Sequence, residues 1–255
     1  MMLAMLPLAA ANKYDNPDTL VVSRDGTDEF RTIGGLDSDA SAKGKKMGTF
    51  RTYTLKVEGS YITLKDITIE NNAAKLGQAV SLHIEGDHVL VQNCRLLGNQ
   101  DTVYTGKAGS RIAFYDCYIE GITDFMFGPS LAWFENCKIH SKASSYITAA
   151  SSPAGQKYGY VFNKCKLTAD VGVDKVYLGR PWRPYVKTLF MNCEMGSHIT
   201  PAGLDNWRNP KNEETAEYSE YKNYGPGASL LSPGKFRVIH SNTRTIVQVH
   251  PPRAE

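Results

Sequence analysis

The chain has 255 residues, with 29 Lys or Arg against 26 Asp or Glu, a formal charge of +3. So even a balance argues against a nucleic-acid protein held by a dense basic face, and 42% hydrophobic with 22% charged residues excludes wholesale disorder. No apolar run reaches the roughly 20 residues of a membrane-spanning helix, and 22 Gly, 12 Pro and 14 Tyr lean the composition towards strands and turns.

Residues 1–11 are apolar and end in Ala9-Ala10-Ala11, which resembles a secretory signal with a small-residue cleavage site, although no basic n-region precedes it. A frayed or artificial end is the alternative. The remaining residues, 12–255, are expected to form one domain. The stretch from Gly34-Gly35-Leu36 to Lys45-Lys46-Met47 reads as a polar, flexible string.

From residue 64 onward the chain repeats itself. Leu64-Lys65-Asp66-Ile67-Thr68-Ile69 is followed by Val91-Gln92-Asn93-Cys94-Arg95-Leu96, Phe114-Tyr115-Asp116-Cys117-Tyr118-Ile119, Phe134-Glu135-Asn136-Cys137-Lys138-Ile139, Phe162-Asn163-Lys164-Cys165-Lys166-Leu167 and Phe190-Met191-Asn192-Cys193-Glu194-Met195. The anchors, Ile67 and five Cys, are separated by 27, 23, 20, 28 and 28 residues. The positions three before and two after each anchor are apolar, and the residues flanking it are mostly polar. From the anchor to its +2 neighbour the period is the two of a half-buried strand. From −3 to the anchor that period breaks, which predicts a bend or bulge.

One strand phrase per 20–28 residues cannot make tight hairpins. It predicts a solenoid whose strands stack in parallel about 4.8 Å apart, a parallel β-helix. The anchors then form an internal ladder, in which buried thiols act as small hydrophobes. Five is an odd count, no CxxC spacing occurs, and a disulfide between adjacent coils stays geometrically open.

The same register singles out two carboxylates. Asp101 and Asp124 each lie seven residues after a Cys anchor, so they are expected on neighbouring coils. The next coil has Ser144 at that offset, which leaves an acidic stack two deep. Two close carboxylates do not ionise alike, and such a pair supplies a nucleophile or base beside a proton donor. An acidic turn pair or a cation site is the plainer alternative. Gln100 can donate to an oxyanion, Arg180 can reach a carboxylate, and Trp182 offers a flat face for a sugar ring.

Gly77-Gln78-Ala79-Val80, Gln100-Asp101-Thr102-Val103-Tyr104, Asp124-Phe125-Met126-Phe127-Gly128 and Leu178-Gly179-Arg180-Pro181-Trp182 resemble, in order and spacing, the signatures of pectin methylesterases. Thr49-Phe50, residues 198–203 and residues 220–228 add to the likeness, and residues 25–33 look like the family's opening strand. The resemblance implies an all-β, right-handed single-stranded parallel β-helix. Only 15 residues separate Ile33 from Thr49, where the family has several tens, so the N-terminal coils are expected to be missing or shortened.

The resemblance further implies a secreted carboxylic ester hydrolase that removes methyl esters from galacturonate units of pectin and releases methanol. It makes Asp124 the nucleophile, Asp101 the general acid and base, Gln100 the oxyanion stabiliser and Arg180 the partner that keeps Asp124 ionised. Gln78, Trp182, Thr49, Phe125, Phe127 and Tyr104 become substrate-binding residues. No metal or cofactor is implied, and no nucleic-acid or membrane partner; a monomer is expected. No GxSxG elbow offers a serine route. His83, His88 and His198 read as structural or surface residues. The rival readings are a lyase or glycosidase of pectin built on the same solenoid, and an inactive sugar-binding solenoid.

Overall fold

The computed structural model describes residues 48–73, 77–228 and 238–240. The signal-like segment 1–11, the opening-strand segment 25–33 and the string from Gly34 to Met47 lie outside the described residues, so the expectation of shortened N-terminal coils does too.

Short strands wind into three parallel sheets. The first sheet holds Leu55–Val57, Leu82–Ile84, Val103–Thr105, Met126–Gly128, Tyr146–Ala150 and Tyr177–Gly179 in that order. The second runs over eight strands from Thr63–Lys65 to Glu217–Tyr221 and Val238–His240, and the third over six from Thr68–Glu70 to Glu194–Met195. Every strand pairs with the equivalent strand one coil away, as the repeat predicts. The described fold is an all-β parallel solenoid.

The predicted bend is a corner made by one residue. The second-sheet strand ends two residues before the anchor, and the third-sheet strand begins one after it. The residue between takes a left-handed backbone on every coil: Asp66 (φ 57°), Asn93 (51°), Asp116 (54°), Asn136 (54°), Lys164 (53°) and Asn192 (55°). Asp and Asn tolerate that conformation better than other side-chain-bearing residues, which explains why the flanking positions are polar. Lys222 (φ 50°) repeats the corner a seventh time, with Asn223 in the anchor place. Asn223 accepts the Cys193 amide at Oδ1 (2.9 Å) and donates to the Phe190 carbonyl (3.1 Å).

Inside the corner, Ile67 and the five thiols are buried, and all five Cys are free. Each Sγ donates both within its own coil and backwards by one coil. Cys117 reaches the Tyr115 carbonyl at 3.2 Å and that of Val91 at 3.4 Å, and Cys193 those of Met191 and Phe162. The thiol thus fills a small space and satisfies carbonyls that an aliphatic side chain would leave to the ladder alone.

Beside it, Phe114, Phe134, Phe162 and Phe190 stack almost parallel, with ring centroids 4.6, 4.4 and 4.4 Å apart. Phe162 is fully buried between two of these rings. Phe162→Ala is expected to destabilise by about 4 kcal/mol, the cost of a cavity plus two lost ring contacts. A denaturant titration reads it as a lower midpoint at unchanged slope; a midpoint within error of the parent would show that the stack carries no stability.

Candidate active site

The outward face of the first sheet carries the chemistry. Counting back two positions from the pair Met126↔Val103 puts Asp124 level with Asp101, and the Asp101 amide donates to the Thr123 carbonyl (3.1 Å). Both residues have a left-handed backbone, φ 66° for Asp101 and 51° for Asp124. The same kink on consecutive coils turns both carboxylates to one place. The third coil departs from the spacing. Met126 pairs with Thr148, which brings Tyr146 and not Ser144 level with Asp124. Two further residues have entered that turn, and the exposed Ser144 instead donates to Asp174.

The two carboxylates differ in their partners. Arg180 donates to Asp124 through both Nε (3.0 Å to Oδ1) and Nη2 (2.6 Å to Oδ2). That fork is the strong geometry for a guanidinium on a carboxylate. Arg180 is brought there because Thr148 pairs with Gly179, where an added Cβ would lie 2.0 Å from Thr148 Oγ1. Burial pushes the Asp124 carboxyl up, the Arg180 bond and charge pull it down, and the charge of Asp205 adds a further push up. Asp101 has no such cation of its own. Burial first, and the charge of Asp124 second, push it up to about 8, against weaker pulls from Gln78 and Arg180. On balance both carboxyls stand above the ordinary range, and Asp101, without a guanidinium forked to it, is the one of the pair that holds its proton more firmly.

Amide groups stand alongside. Gln78 and Gln100 form a parallel bridge between coils, and the Ala79 amide donates to the Gln100 carbonyl (3.1 Å). Thr49 Oγ1 donates to Gln78 Oε1 (2.6 Å), which fixes that oxygen as an acceptor and leaves the Gln78 NH₂ as a donor towards Asp101. Gln100 is partly exposed beside Asp101.

An aromatic platform extends from the carboxylates. Tyr104 and Phe127 sit 4.7 Å apart on neighbouring coils, and Trp182 meets Phe127 edge-on at 5.9 Å. Exposed Phe50 lies 4.8 Å from Tyr104, and Tyr53 and buried His83 continue the row. Phe125 does not belong to it. Its side chain is fully buried in the main core, so a ligand in the cleft cannot touch it. The alternation breaks one step after Asp124: Phe125 and Met126 both face inward before Phe127 faces out.

Six further residues enter the site unannounced by the repeat: Phe50, Tyr53, Tyr146, His83, Asp205 and Trp207. Tyr146 and Trp207 flank Arg180, with ring centroids 4.0 and 3.8 Å from the guanidinium carbon. The strand register, not the spacing from the anchor, brings Tyr146 level with Asp124. Trp207 and Asp205 lie on a connection after the motif at 198–203 and outside the repeat phrase. Among the described residues, no three His, Cys, Asp or Glu side chains come together as a metal site would require.

A family model described as pectinesterase matches residues 16–250. Pectinesterase 31 of Arabidopsis thaliana is 40% identical over 183 residues, which cover 71% of this chain and 57% of the relative. The chain spans about half the length of the curated relatives it matches. A pectin methylesterase from carrot superposes with a TM-score of 0.77 at 24% identity, covering 92% of this chain and 91% of that one. A pectin methylesterase in complex with a hexasaccharide superposes with a TM-score of 0.70 at 25% identity, covering 85% of this chain and 76% of that one. With a match that runs from residue 16 to residue 250, the chain belongs to the pectinesterase family.

Proposed function

We infer that the protein is a carboxylic ester hydrolase that removes methyl groups from galacturonate esters in pectin. The observation that carries this reading is the unequal carboxylate pair: Asp124 forked to Arg180, and Asp101 one coil away with a raised pKa. A weak carboxylate nucleophile must be ionised, positioned and shielded, and a general acid must keep its proton near the working pH.

In the first step an Asp124 oxygen attacks the ester carbonyl carbon. The oxyanion that forms is met by the Gln100 amide, with Gln78 as a further donor. Collapse breaks the carbon–oxygen bond to the methoxy group. Asp101 gives its proton to that oxygen, methanol leaves, and the galacturonate remains joined to Asp124 as an anhydride. In the second step Asp101, now a carboxylate, takes a proton from water. The water oxygen attacks the anhydride carbonyl, the bond to Asp124 breaks, and both Asp residues return to their first state. Arg180 holds Asp124 throughout.

Tyr104, Phe127 and Trp182 provide faces for sugar rings, and Thr49 orients Gln78. The related enzyme that holds a hexasaccharide supports a polymeric substrate. Residues 12–255 are read as one esterase domain, secreted to where pectin lies and acting as a monomer without nucleic acid or membrane partner. The family's pectin-directed names support the extracellular assignment.

Purified chain incubated with highly methylated pectin is expected to release methanol without lowering the viscosity of the polymer. Unsaturated or shortened products would assign a lyase or a glycosidase instead. Binding without turnover would assign a sugar-binding solenoid.

A further inference from the structure

Arg180 is held from more sides than its carboxylate requires. Tyr146 comes from the first-sheet strand on the coil after Asp124, and Trp207 from a connection outside the repeat. Trp207 and Arg208 both have φ 57°, two consecutive left-handed residues without glycine. A bulky aromatic residue rarely adopts that backbone. Bonds around it hold it there. The Trp207 amide donates to Asp205 Oδ1 (2.7 Å), Asn206 Nδ2 to Glu213 Oε1 (2.8 Å) and Asn212 Nδ2 to the Asn206 carbonyl (3.0 Å). Strain that persists under so many bonds points to a segment fixed for a task.

We propose that Tyr146 and Trp207 are positioning residues that clamp Arg180 onto Asp124 and so keep the nucleophile ionised at the working pH. This rests on the reading of Asp124 as the nucleophile. The ring faces attract the cation and keep water from it, so its field on Asp124 is less screened. A competitor stands close by, because the charge of Asp205 acts on both Arg180 and Asp124. The other titratable groups facing Asp124 are Asp101 from the preceding coil, Tyr146 itself and Tyr218 from within the core. Without the Trp207 face, Arg180 is free to turn towards Asp205, and Asp124 keeps its proton to higher pH.

The test is a carbon-13 NMR titration of the Asp124 carboxyl, its signal identified by loss in Asp124→Asn. Trp207→Leu retains apolar cover but removes the ring face, and Trp207→Phe restores a ring. The Asp124 midpoint is expected to rise by about one pH unit in Trp207→Leu and to return close to the parent in Trp207→Phe. The acid limb of kcat/KM for methanol release is expected to move with it, and the alkaline limb to stay. A midpoint that is unchanged or lower in Trp207→Leu, or equally shifted in both variants, overturns the clamp. Should Trp207→Leu not fold, Tyr146→Leu carries the same expectation. A parent that releases no methanol would sink the esterase reading, whereas the carboxyl titration would still decide the clamp.

Discussion

Asp124→Asn is expected to cut methanol release by at least roughly 10⁴-fold while leaving the circular dichroism spectrum unchanged. Asn keeps the shape of the side chain and tolerates the left-handed backbone at φ 51°, so the corner survives. The substitution removes the charge that attacks the ester and leaves the Arg180 guanidinium without its anion. Asp124→Ala would add backbone strain to the chemical loss, which makes Asn the cleaner probe. Activity within tenfold of the parent would remove Asp124 from the nucleophile's role.

Asp101→Asn is expected to lose about 10²- to 10⁴-fold in methanol release and, above neutral pH, to be more stable than the parent. The sign follows from the raised carboxyl. Its ordinary value is 3.8 and its folded value about 8. Between these pH values the folded chain holds a proton that the unfolded chain has lost, so stability falls as pH rises through the window and levels off above it. Asn removes that dependence. The gain should vanish near pH 4 and reach on the order of 5 kcal/mol at pH 8, about ten degrees or more in Tm. A Tm difference that does not grow with pH would show that Asp101 is not held neutral by its surroundings. Activity near the parent's would remove the acid assignment. Opposite signs for activity and stability are what a site kept at a cost to the fold should give.

The sequence disclosed most where the fold repeats. Ile67 and the five Cys mark the corner because one left-handed residue precedes each of them, and that geometry imposes the same neighbours on every coil. The level placement of Asp101 and Asp124 followed, since equal offsets from equivalent corners survive winding. Tyr146 stands at the third level in place of Ser144, because equal offsets fail once a turn gains two residues. Phe125, which the resemblance placed in the cleft, lies in the core, because a short motif shared with a family does not say which face of the strand each of its residues takes. Trp207 and Asp205 escaped because they sit on a connection with no counterpart on other coils. Their meaning lies in what they touch across the chain, and no spacing encodes that.

The unequal lengths of the coils have a consequence of their own. Since one residue fixes each corner, slack in the chain is confined to the other bends of the coil. The carboxylates fall in the two shortest intervals, 23 and 20 residues, and Arg180 and Trp182 in one of 28. The two reacting carboxylates thus ride on the stretches with least freedom to drift. Trp182, a face for the polymer and not a reacting group, rides on a roomier coil, where insertions could retune preference while the reacting pair stays in phase.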